Sequence, residues 1–242
     1  MRIILFIGVL LFVHGCNDGA VSSAPRTADA ILAISWQPAF CETHSRKKEC
    51  RSQTPSRYDA SHFALHGLWP QPRSKSYCGV SEKDIQRDRS GKWMQISRLE
   101  LSEDLRKKLL VVMPGYQSGL QRHEWIKHGS CYSDAPEKYF ADSLALMEKL
   151  NASPLRELFA ANIGKQITTK QIRSAMDEGF GPGSGLRLRV KCSNDGGRLL
   201  ISELTLALAG EIGDGLGKML LSALPDDKKS CPGGIVDPVG QQ

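Results

Sequence analysis

The sequence predicts a single α+β domain in which an antiparallel β-sheet is flanked by several helices and cross-linked by disulfides. Segments with strand character and segments with helical character do not alternate regularly along the 242 residues, which disfavours a doubly wound parallel sheet. A chain of roughly 220 residues without its N-terminal leader is long enough for one sizeable core. Six of the 7 cysteines follow residue 40, an even set that suits three disulfides.

Four segments are rich in alternating, β-branched or apolar residues and are predicted as strands: residues 31–36, 62–68, 186–190 and 199–208. In the second of these, alternation places Phe63 and Leu65 on one face and Ala64, His66 and Leu68 on the other. His66 is therefore expected near the end of its strand.

Five segments are predicted as helices: residues 100–112, 120–129, 136–150, 153–161 and 168–178. Ser102 and Thr168 have side chains that cap helix N-termini, so they mark the start of the first and the last of these helices. Pro114 and Gly179 are suitable stops, because neither residue favours continuation of a helix.

The N-terminus has the pattern of an export signal. A basic start at Arg2 precedes an apolar stretch over residues 3–13, which is too short to span a bilayer. Residues 13–16 (VHGC) resemble a bacterial lipoprotein cleavage site with Cys16 as the lipid acceptor, and a conventional cut within residues 20–24 is the competing interpretation. We therefore expect an exported protein, located in the bacterial periplasm or outer envelope, anchored through Cys16, or secreted.

Two short segments concentrate acid–base side chains: residues 66–70 (HGLWP) and residues 123–131 (HEWIKHGSC). On a helix, His123, Glu124, Lys127 and His128 fall within an arc of roughly 140°. An imidazole with a pKa of ~6.5 is neutral in one environment and protonated in another at the same pH, so paired histidines can act as base and acid. This combination predicts an enzyme.

Other catalytic classes fit the same residues less well. The helical zinc-protease pattern requires a histidine four residues after His123, and that position is Lys127, which would repel a metal ion. Cys131 is expected to be oxidised in an exported chain rather than to act as a nucleophile. The sequence has neither a Gly-x-Ser-x-Gly elbow nor a phosphate-binding loop ending in Gly-Lys-Ser/Thr.

The two segments resemble the active-site segments of the ribonuclease T2 family, with every defining position present and in the family's order. Residues 35–41 (SWQPAFC) are also similar to the family's first strand and first cysteine. By motif the resemblance spans residues 31–131. In the C-terminal third, the resemblance rests only on the cysteines and on the pattern of predicted strands and helices.

The resemblance implies an endoribonuclease that cleaves single-stranded RNA through the substrate's own 2′-hydroxyl, leaving a 2′,3′-cyclic phosphate and then a 3′-phosphate. It assigns His128 as base, His66 as acid, His123 to phosphate binding, and Lys127 and Glu124 to stabilising the transition state. Because the nucleophile belongs to the substrate, no metal or other cofactor is required, and DNA is expected not to be cleaved.

The resemblance also implies a base-binding surface, with Trp69 as a stacking platform and Tyr77 as its second wall. The family often has Asp where this chain has Gln71, so the base preference stays open. A structural alternative for Trp69 is a core tryptophan. The modest net charge of +6 is consistent with binding a polyanion. The densest basic stretch of the chain, residues 45–51, is either a track for phosphates or a solvated loop between two cysteines.

Six cysteines allow 15 connectivities, and the residues alone do not choose among them. The family pattern implies Cys78–Cys131 and Cys192–Cys231, which leaves Cys41–Cys50 by elimination.

The resulting organisation is a signal peptide at 1–15, a flexible linker at 16–30, the ribonuclease T2-like catalytic domain at 31–235 and a mobile tail at 236–242, after one short strand that follows Cys231. We expect a monomer whose partner is RNA. The alternative function is a catalytically silent member of the same fold that binds RNA or protein in the cell envelope. A further class, an envelope interaction lipoprotein, depends on Cys16 alone.

Overall fold

The computed structural model describes residues 24–241. Its strands are β1 Ala30–Ser35, β2 Ala64–Pro70, β3 Gln166–Thr168, β4 Leu188–Asp195, β5 Arg198–Leu208 and β6 Gly233–Ile235. Its helices are α1 Gln37–Thr43, α2 Lys48–Arg51, α3 Glu82–Arg89, α4 Glu103–Val112, α5 Leu120–Lys127, α6 Pro136–Asn151, α7 Pro154–Ala161, α8 Thr169–Phe180 and α9 Leu216–Ser222. The predicted α+β class is confirmed. The signal peptide and Cys16 lie outside the described residues.

The strands form one sheet in the order β2-β1-β5-β6-β3, with β4 paired to β5. The pairs β1–β2, β1–β5, β4–β5 and β3–β6 are antiparallel, as predicted, whereas β5 and β6 meet in a short parallel contact. The long strand β5 thus joins β1 to β4, and it connects residues that are far apart in sequence.

A β-bulge in the β1–β2 pair changes which side chains of β2 share a face. Ala33 pairs with Gly67 and the next residue, Ile34, pairs with Leu65, so His66 is the extra residue. A bulge shifts the side-chain alternation by one position. His66 and Trp69 are therefore both partly exposed while Leu65 and Leu68 are buried. The predicted shared face of Ala64, His66 and Leu68, with His66 at a strand end, is wrong because alternation alone does not reveal a bulge.

Helix α6 fixes β2 on both sides of this bulge. The Tyr139 hydroxyl donates to the carbonyl of Leu68 at 3.0 Å and accepts from its N–H at 3.1 Å. The Asn151 amide makes the equivalent pair of bonds with the backbone of Phe63, at 2.9 and 3.1 Å. Both side chains are buried. Because buried polar groups must be paired, these bonds specify how the helix docks on the strand.

The core lies between the sheet and the helices. Trp36 packs edge-on against Phe63, and both rings contact Phe159 of α7. Leucine, isoleucine and methionine side chains from the strands and from α4, α6, α8 and α9 complete one continuous cluster. Burial of these apolar side chains is the main favourable contribution to folding.

The predicted helix starts agree with the structure. Ser102 accepts a hydrogen bond from the N–H of Leu105 at the start of α4. Thr168 and Gln171 form a capping box at the start of α8. Helix α5 ends at Lys127 rather than at 129, and His128 leaves the helical conformation. Sequence periodicity failed to indicate α1, α2, α3, α9 and β3, all of which are short.

The predicted flexible ends are too long. Arg26 already pairs with the backbone beside Ala223, and Ala30 belongs to β1, so packing begins within the expected linker. Val236 and Asp237 are completely buried, and the Asp237 carbonyl accepts a 2.8 Å bond from the Trp36 indole. The chain after β6 therefore packs against the core before the tail begins.

Three disulfides join Cys41 to Cys50, Cys78 to Cys131 and Cys192 to Cys231, which are the pairs that the family resemblance implies. The second attaches the loop after β2 to the segment after α5. Within residues 24–241, no helix has the length and apolar character needed to cross a membrane.

Candidate active site

His66 projects from the bulge in β2 and is held by a carboxylate of β5. Its Nδ1 atom lies 2.9 Å from Oε2 of Glu203, and 32% of its side chain is exposed. The other Glu203 oxygen forms an ion pair with Lys191 of β4. Because an ionised carboxylate only accepts hydrogen bonds, Nδ1 carries a proton and Nε2 faces the centre of the site.

Glu124 lies at that centre and is completely buried. Its Oε2 accepts a 2.9 Å hydrogen bond from the indole N–H of Trp69. Its Oε1 has no hydrogen-bond partner among the described residues, and it lies 3.7 Å from Nε2 of His66 and 3.6 Å from Nε2 of His123. Residue 67 must be glycine here, because a Cβ would come within 1.9 Å of the Glu124 carboxylate.

His123 is oriented from α3. Its Nδ1 lies 2.6 Å from Oδ1 of Asp88, whose other oxygen accepts a 2.7 Å bond from the Tyr77 hydroxyl. The Trp93 ring stacks on the imidazole, with centroids 4.6 Å apart. These contacts fix the ring so that its Nε2 faces Glu124.

His128 directly follows the last residue of α5, and its ring neighbours Trp69. The Trp69 ring centroid is 5.4 Å from that of His66 and 5.5 Å from that of His128. His128 leaves the helical conformation, and its ring centroid lies 6.3 Å from that of His123. Trp69 therefore neighbours both His66 and His128.

The environments of these two histidines favour opposite protonation states. Burial, together with the positive charges of Lys127, His123 and His66, lowers the pKa of His128 to about 3. Burial also disfavours the charged form of His66, but the hydrogen bond to Glu203 and the charge of Glu124 outweigh it and raise the pKa of His66. A neutral imidazole accepts a proton, and an imidazolium donates one.

The carboxylates of the site also separate by environment. Burial raises the pKa of Glu124, although the charges of His66 and His123 oppose this effect. Burial is also the largest single effect on Asp88 and Glu203, but the hydrogen bonds and positive charges around each carboxylate together outweigh it and lower the pKa. The surroundings of Asp88 and Glu203 thus favour the anion, whereas burial disfavours the charged form of Glu124.

The structure brings together His66, His123, Glu124 and His128, and it places Lys127 and Gln71 in one cavity with Trp69 and His128. Tyr77 differs from the expectation. Its hydroxyl bonds to Asp88, and its N–H bonds to the carbonyl of Lys127 at 3.0 Å, so it supports His123 instead of forming a wall opposite Trp69.

Four residues of the site were not predicted: Asp88, Trp93, Lys191 and Glu203. Glu203 is 137 positions from His66, and Asp88 is 35 positions from His123. The sequence contains no local pattern that links such residues, and only the pairing of β5 with β1 and the packing of α3 on α5 bring them together.

Two cavities flank the centre. One, of about 330 Å³, lies on the His66 side and is lined by residues that include Gln37, Phe40, Lys47, Trp93 and Glu203. The other, of about 320 Å³, lies on the His128 side and is lined by residues that include Trp69, Gln71 and Lys127. A chain-like ligand can therefore extend in both directions from the centre.

The centre also contains residue types that bind metal ions. Ligand atoms of His123, Glu124 and His128 all lie within 4.8 Å of one another, so the fold creates a possible ligand set that the sequence spacing had disfavoured. The positive charges of Lys127 and His66 close to this set oppose a cation. The donor set alone does not show whether a metal ion binds at the centre. An activity assay in the presence of a chelator tests this.

The chain is similar to known proteins in both sequence and fold. The sequence matches the model of the ribonuclease T2 family over residues 29–214. It is 28% identical to ribonuclease I of Escherichia coli (strain K12) over 202 residues, which cover 75% of each chain. Japanese pear S3-RNase has a similar fold, with a TM-score of 0.54 at 18% identity, over 85% of this chain and 98% of that chain. Human RNase T2 also has a similar fold, with a TM-score of 0.53 at 19% identity, over 88% of this chain and 98% of that chain.

Proposed function

Since the chain belongs to the ribonuclease T2 family and is an endoribonuclease, we propose that it cleaves single-stranded RNA by metal-independent transesterification. The observation that supports this mechanism is the pair of histidines with opposed pKa shifts, His66 and His128, both next to Glu124 and Trp69. An acid and a base so arranged match a reaction that removes one proton and supplies another.

In the first step, neutral His128 takes the proton of the substrate's 2′-hydroxyl, and the oxygen attacks the adjacent phosphorus. The bond from phosphorus to the 5′-oxygen breaks, and His66 gives that oxygen its proton. The products are a 2′,3′-cyclic phosphate and a free 5′-hydroxyl. In a second step the roles reverse, and water opens the ring to a 3′-phosphate. Each positioned proton transfer contributes about 10²–10⁴-fold to the rate.

Negative charge accumulates on the phosphoryl oxygens during the first step. The Lys127 ammonium and the Nε2 side of His123 stabilise this charge. Glu124 contributes by orienting the neighbouring imidazoles or sharing protons with them, because its Oε1 lies 3.7 Å from Nε2 of His66 and 3.6 Å from Nε2 of His123.

The base of the nucleotide that carries the 2′-hydroxyl stacks on Trp69. Stacking is worth about 1–3 kcal/mol and tolerates any base. The Gln71 amide donates to the carbonyls of Trp69 and Pro70, at 3.2 and 3.3 Å, so it is partly occupied by the protein itself. Low base specificity follows from this arrangement.

We further propose that the protein is exported and acts as a monomer, with a lipid anchor at Cys16 as one mode of attachment to the envelope. Three disulfides support an oxidising compartment. Mass spectrometry of the mature N-terminus distinguishes a lipidated Cys16 from a free chain.

Incubation of the purified protein with RNA and with DNA in excess chelator tests the mechanism. The expected result is RNA fragments with 2′,3′-cyclic ends and intact DNA. Cleavage that requires a divalent ion would show that the His123, Glu124 and His128 set acts as a metal site. Intact RNA under all conditions would instead favour the silent RNA- or protein-binding alternative.

A further inference from the structure

The cavity on the His128 side contains more positive charge than one central phosphate requires. Five cationic side chains line it, and Asp226 is the only acidic residue in the described lining. The five are Arg73, Lys127, Arg189, Lys191 and Lys228. Lys127 belongs to the catalytic centre, and Lys191 is paired with Glu203. Three cations therefore have no role in the reaction proposed above.

These three cations come from separate parts of the chain: Arg73 from the loop after β2, Arg189 from β4, and Lys228 from the loop before β6. Arg189 donates from Nε to the backbone carbonyl of Lys229 at 3.3 Å, which holds its guanidinium at this edge. None of the three forms an ion pair with a carboxylate in the described part of the chain. Cations that outnumber the acidic residues around one cavity attract an anion.

The opposite cavity has a different charge balance. Lys47 and the imidazoles of His44 and His66 line it together with the carboxylates of Glu49 and Glu203. The excess of cations is thus confined to the His128 side.

The proposed function gives this asymmetry a direction along the substrate, and the inference rests on it. His128 accepts the proton of the attacking 2′-hydroxyl, so the nucleotide that bears this hydroxyl occupies the His128 cavity. The leaving nucleotide occupies the His66 side. The next phosphate in the His128 cavity is consequently the one attached to the 5′-oxygen of the attacking nucleotide.

We propose that Arg73, Arg189 and Lys228 form a binding site for this upstream 5′-phosphate. The enzyme then binds RNA that continues in the 5′ direction better than RNA that begins at the attacking nucleotide. The contacts are electrostatic, so they weaken as salt is added.

Calorimetric titration with adenosine 3′-monophosphate and with adenosine 3′,5′-bisphosphate isolates this site without requiring catalysis. At low salt we expect the additional 5′-phosphate to tighten binding by about fivefold or more, the value of at least one exposed ion pair. The triple variant R73Q/R189Q/K228Q should lose this gain and bind the 3′-monophosphate with an unchanged Kd. The variant K149Q/K165Q/K170Q removes the same charge from residues that line neither cavity, and it should keep the gain.

Equal binding of the two nucleotides by the wild-type protein, or a gain that survives in the triple variant, would overturn the inference. Loss of the gain in both variants would show that net charge alone is responsible, and would overturn it as well. The companion assay compares cleavage of a dinucleotide with and without a 5′-phosphate. Failure to cleave either dinucleotide or longer RNA would contradict the proposed function, whereas the titration alone decides whether the phosphate site exists.

Discussion

Different surroundings give His66 and His128 opposite pKa shifts. Glu203 favours the charged form of His66, whereas Lys127 and burial favour the neutral form of His128. Asp88 orients His123 without entering the centre. Charge placement within a few ångströms therefore distinguishes an acid from a base among identical side chains.

Substitution of either His66 or His128 by alanine should lower kcat by about 10²–10⁴-fold, because each removes one proton transfer. His62→Ala is the matched control, since His62 stacks on Tyr58 and bonds to its carbonyl away from the site. Initial rates on RNA, with circular dichroism to verify folding, provide the measurement. Retained activity in either variant would refute the assigned roles.

The pH profile should be bell-shaped, and its limbs belong to the coupled set of groups. Activity requires neutral His128 and protonated His66. The lowered pKa of His128 places the acidic limb well below pH 6.5, and the raised pKa of His66 places the alkaline limb above it. Rates of dinucleotide cleavage from pH 3 to 9 test this expectation.

Glu203→Gln provides a test of the positioning role of Glu203. The amide cannot stabilise an imidazolium as the carboxylate does, so the alkaline limb should move to lower pH while the acidic limb stays in place. Glu157→Gln, on the exposed surface of α7, is the control and should leave both limbs unchanged. An unmoved alkaline limb in Glu203→Gln would show that this carboxylate has only a structural role.

At the level of elements, the site depends on how β2 is interrupted and held. The bulge directs His66 toward Glu124, and α6 binds the strand through Tyr139 and Asn151. Bulges often re-aim side chains at active sites because the extra residue breaks the alternation of the strand. The absence of a side chain at Gly67 then lets the buried carboxylate approach the strand.

Gly67→Ala should destabilise the protein by about 1–3 kcal/mol, the usual cost of overpacking. The folded variant should also cleave RNA more slowly than the wild type, because the added methyl group displaces Glu124. Gly213→Ala is the control, since a Cβ there meets no atom within 4 Å. Urea unfolding and RNA cleavage at a temperature where both variants are folded provide the measurements. Normal activity in Gly67→Ala would contradict the placement of Glu124.

The disulfides should differ in their effects because they close loops of different length. Removing Cys78–Cys131, with a separation of 53 residues, should cost about 4 kcal/mol, against about 2.5 kcal/mol for Cys41–Cys50, with a separation of 9. Double alanine variants compared by chemical denaturation test this difference. Activity should fall more in the first variant, because that bond joins the loop after Trp69 to the segment after His128. An equal loss of stability would argue against the loop-entropy explanation.

For the whole molecule, the chain ends contribute to the core. Val236 and Asp237 are completely buried, and both oxygens of the Asp237 carboxylate lack a hydrogen bond among the described residues. Arg198 approaches one of them to 3.7 Å. A buried carboxylate with so little compensation ties the stability of the molecule to pH.

Burial, followed by the charge of Glu42, raises the pKa of Asp237 to about 6. The folded chain retains a proton that the unfolded chain releases near pH 4, so this stabilisation is complete below pH ~4 and is lost as the pH rises through 6. Asp237→Asn should therefore increase the free energy of unfolding at pH 7.5 by about 1–3 kcal/mol and change it little at pH 4. Urea denaturation at both pH values measures the difference.

Asp134→Asn is the control, because Asp134 is exposed and its neutralisation should have little effect at either pH. A variant Asp237→Asn that is less stable at pH 7.5 would show that the carboxylate is needed in its charged form.

The sequence by itself determined the α+β class, the main helices and strands, and the residues that gather at the centre. Such features depend on local patterns, namely the periodicity of apolar side chains, the caps at Ser102 and Thr168, and two compact motifs. Short elements such as α3 and β3 escaped prediction because a few residues contain too little periodicity to identify them.

Only the tertiary structure decided which residues support that centre. Asp88 and Glu203 reach their histidines through helix packing and strand pairing across 35 and 137 positions. Tertiary contacts also produce the bulge at His66, the opposite pKa shifts of His66 and His128, and the group of cations beside Trp69. Register, burial and the local electric field arise from contacts between distant segments, and no local pattern in the sequence specifies them.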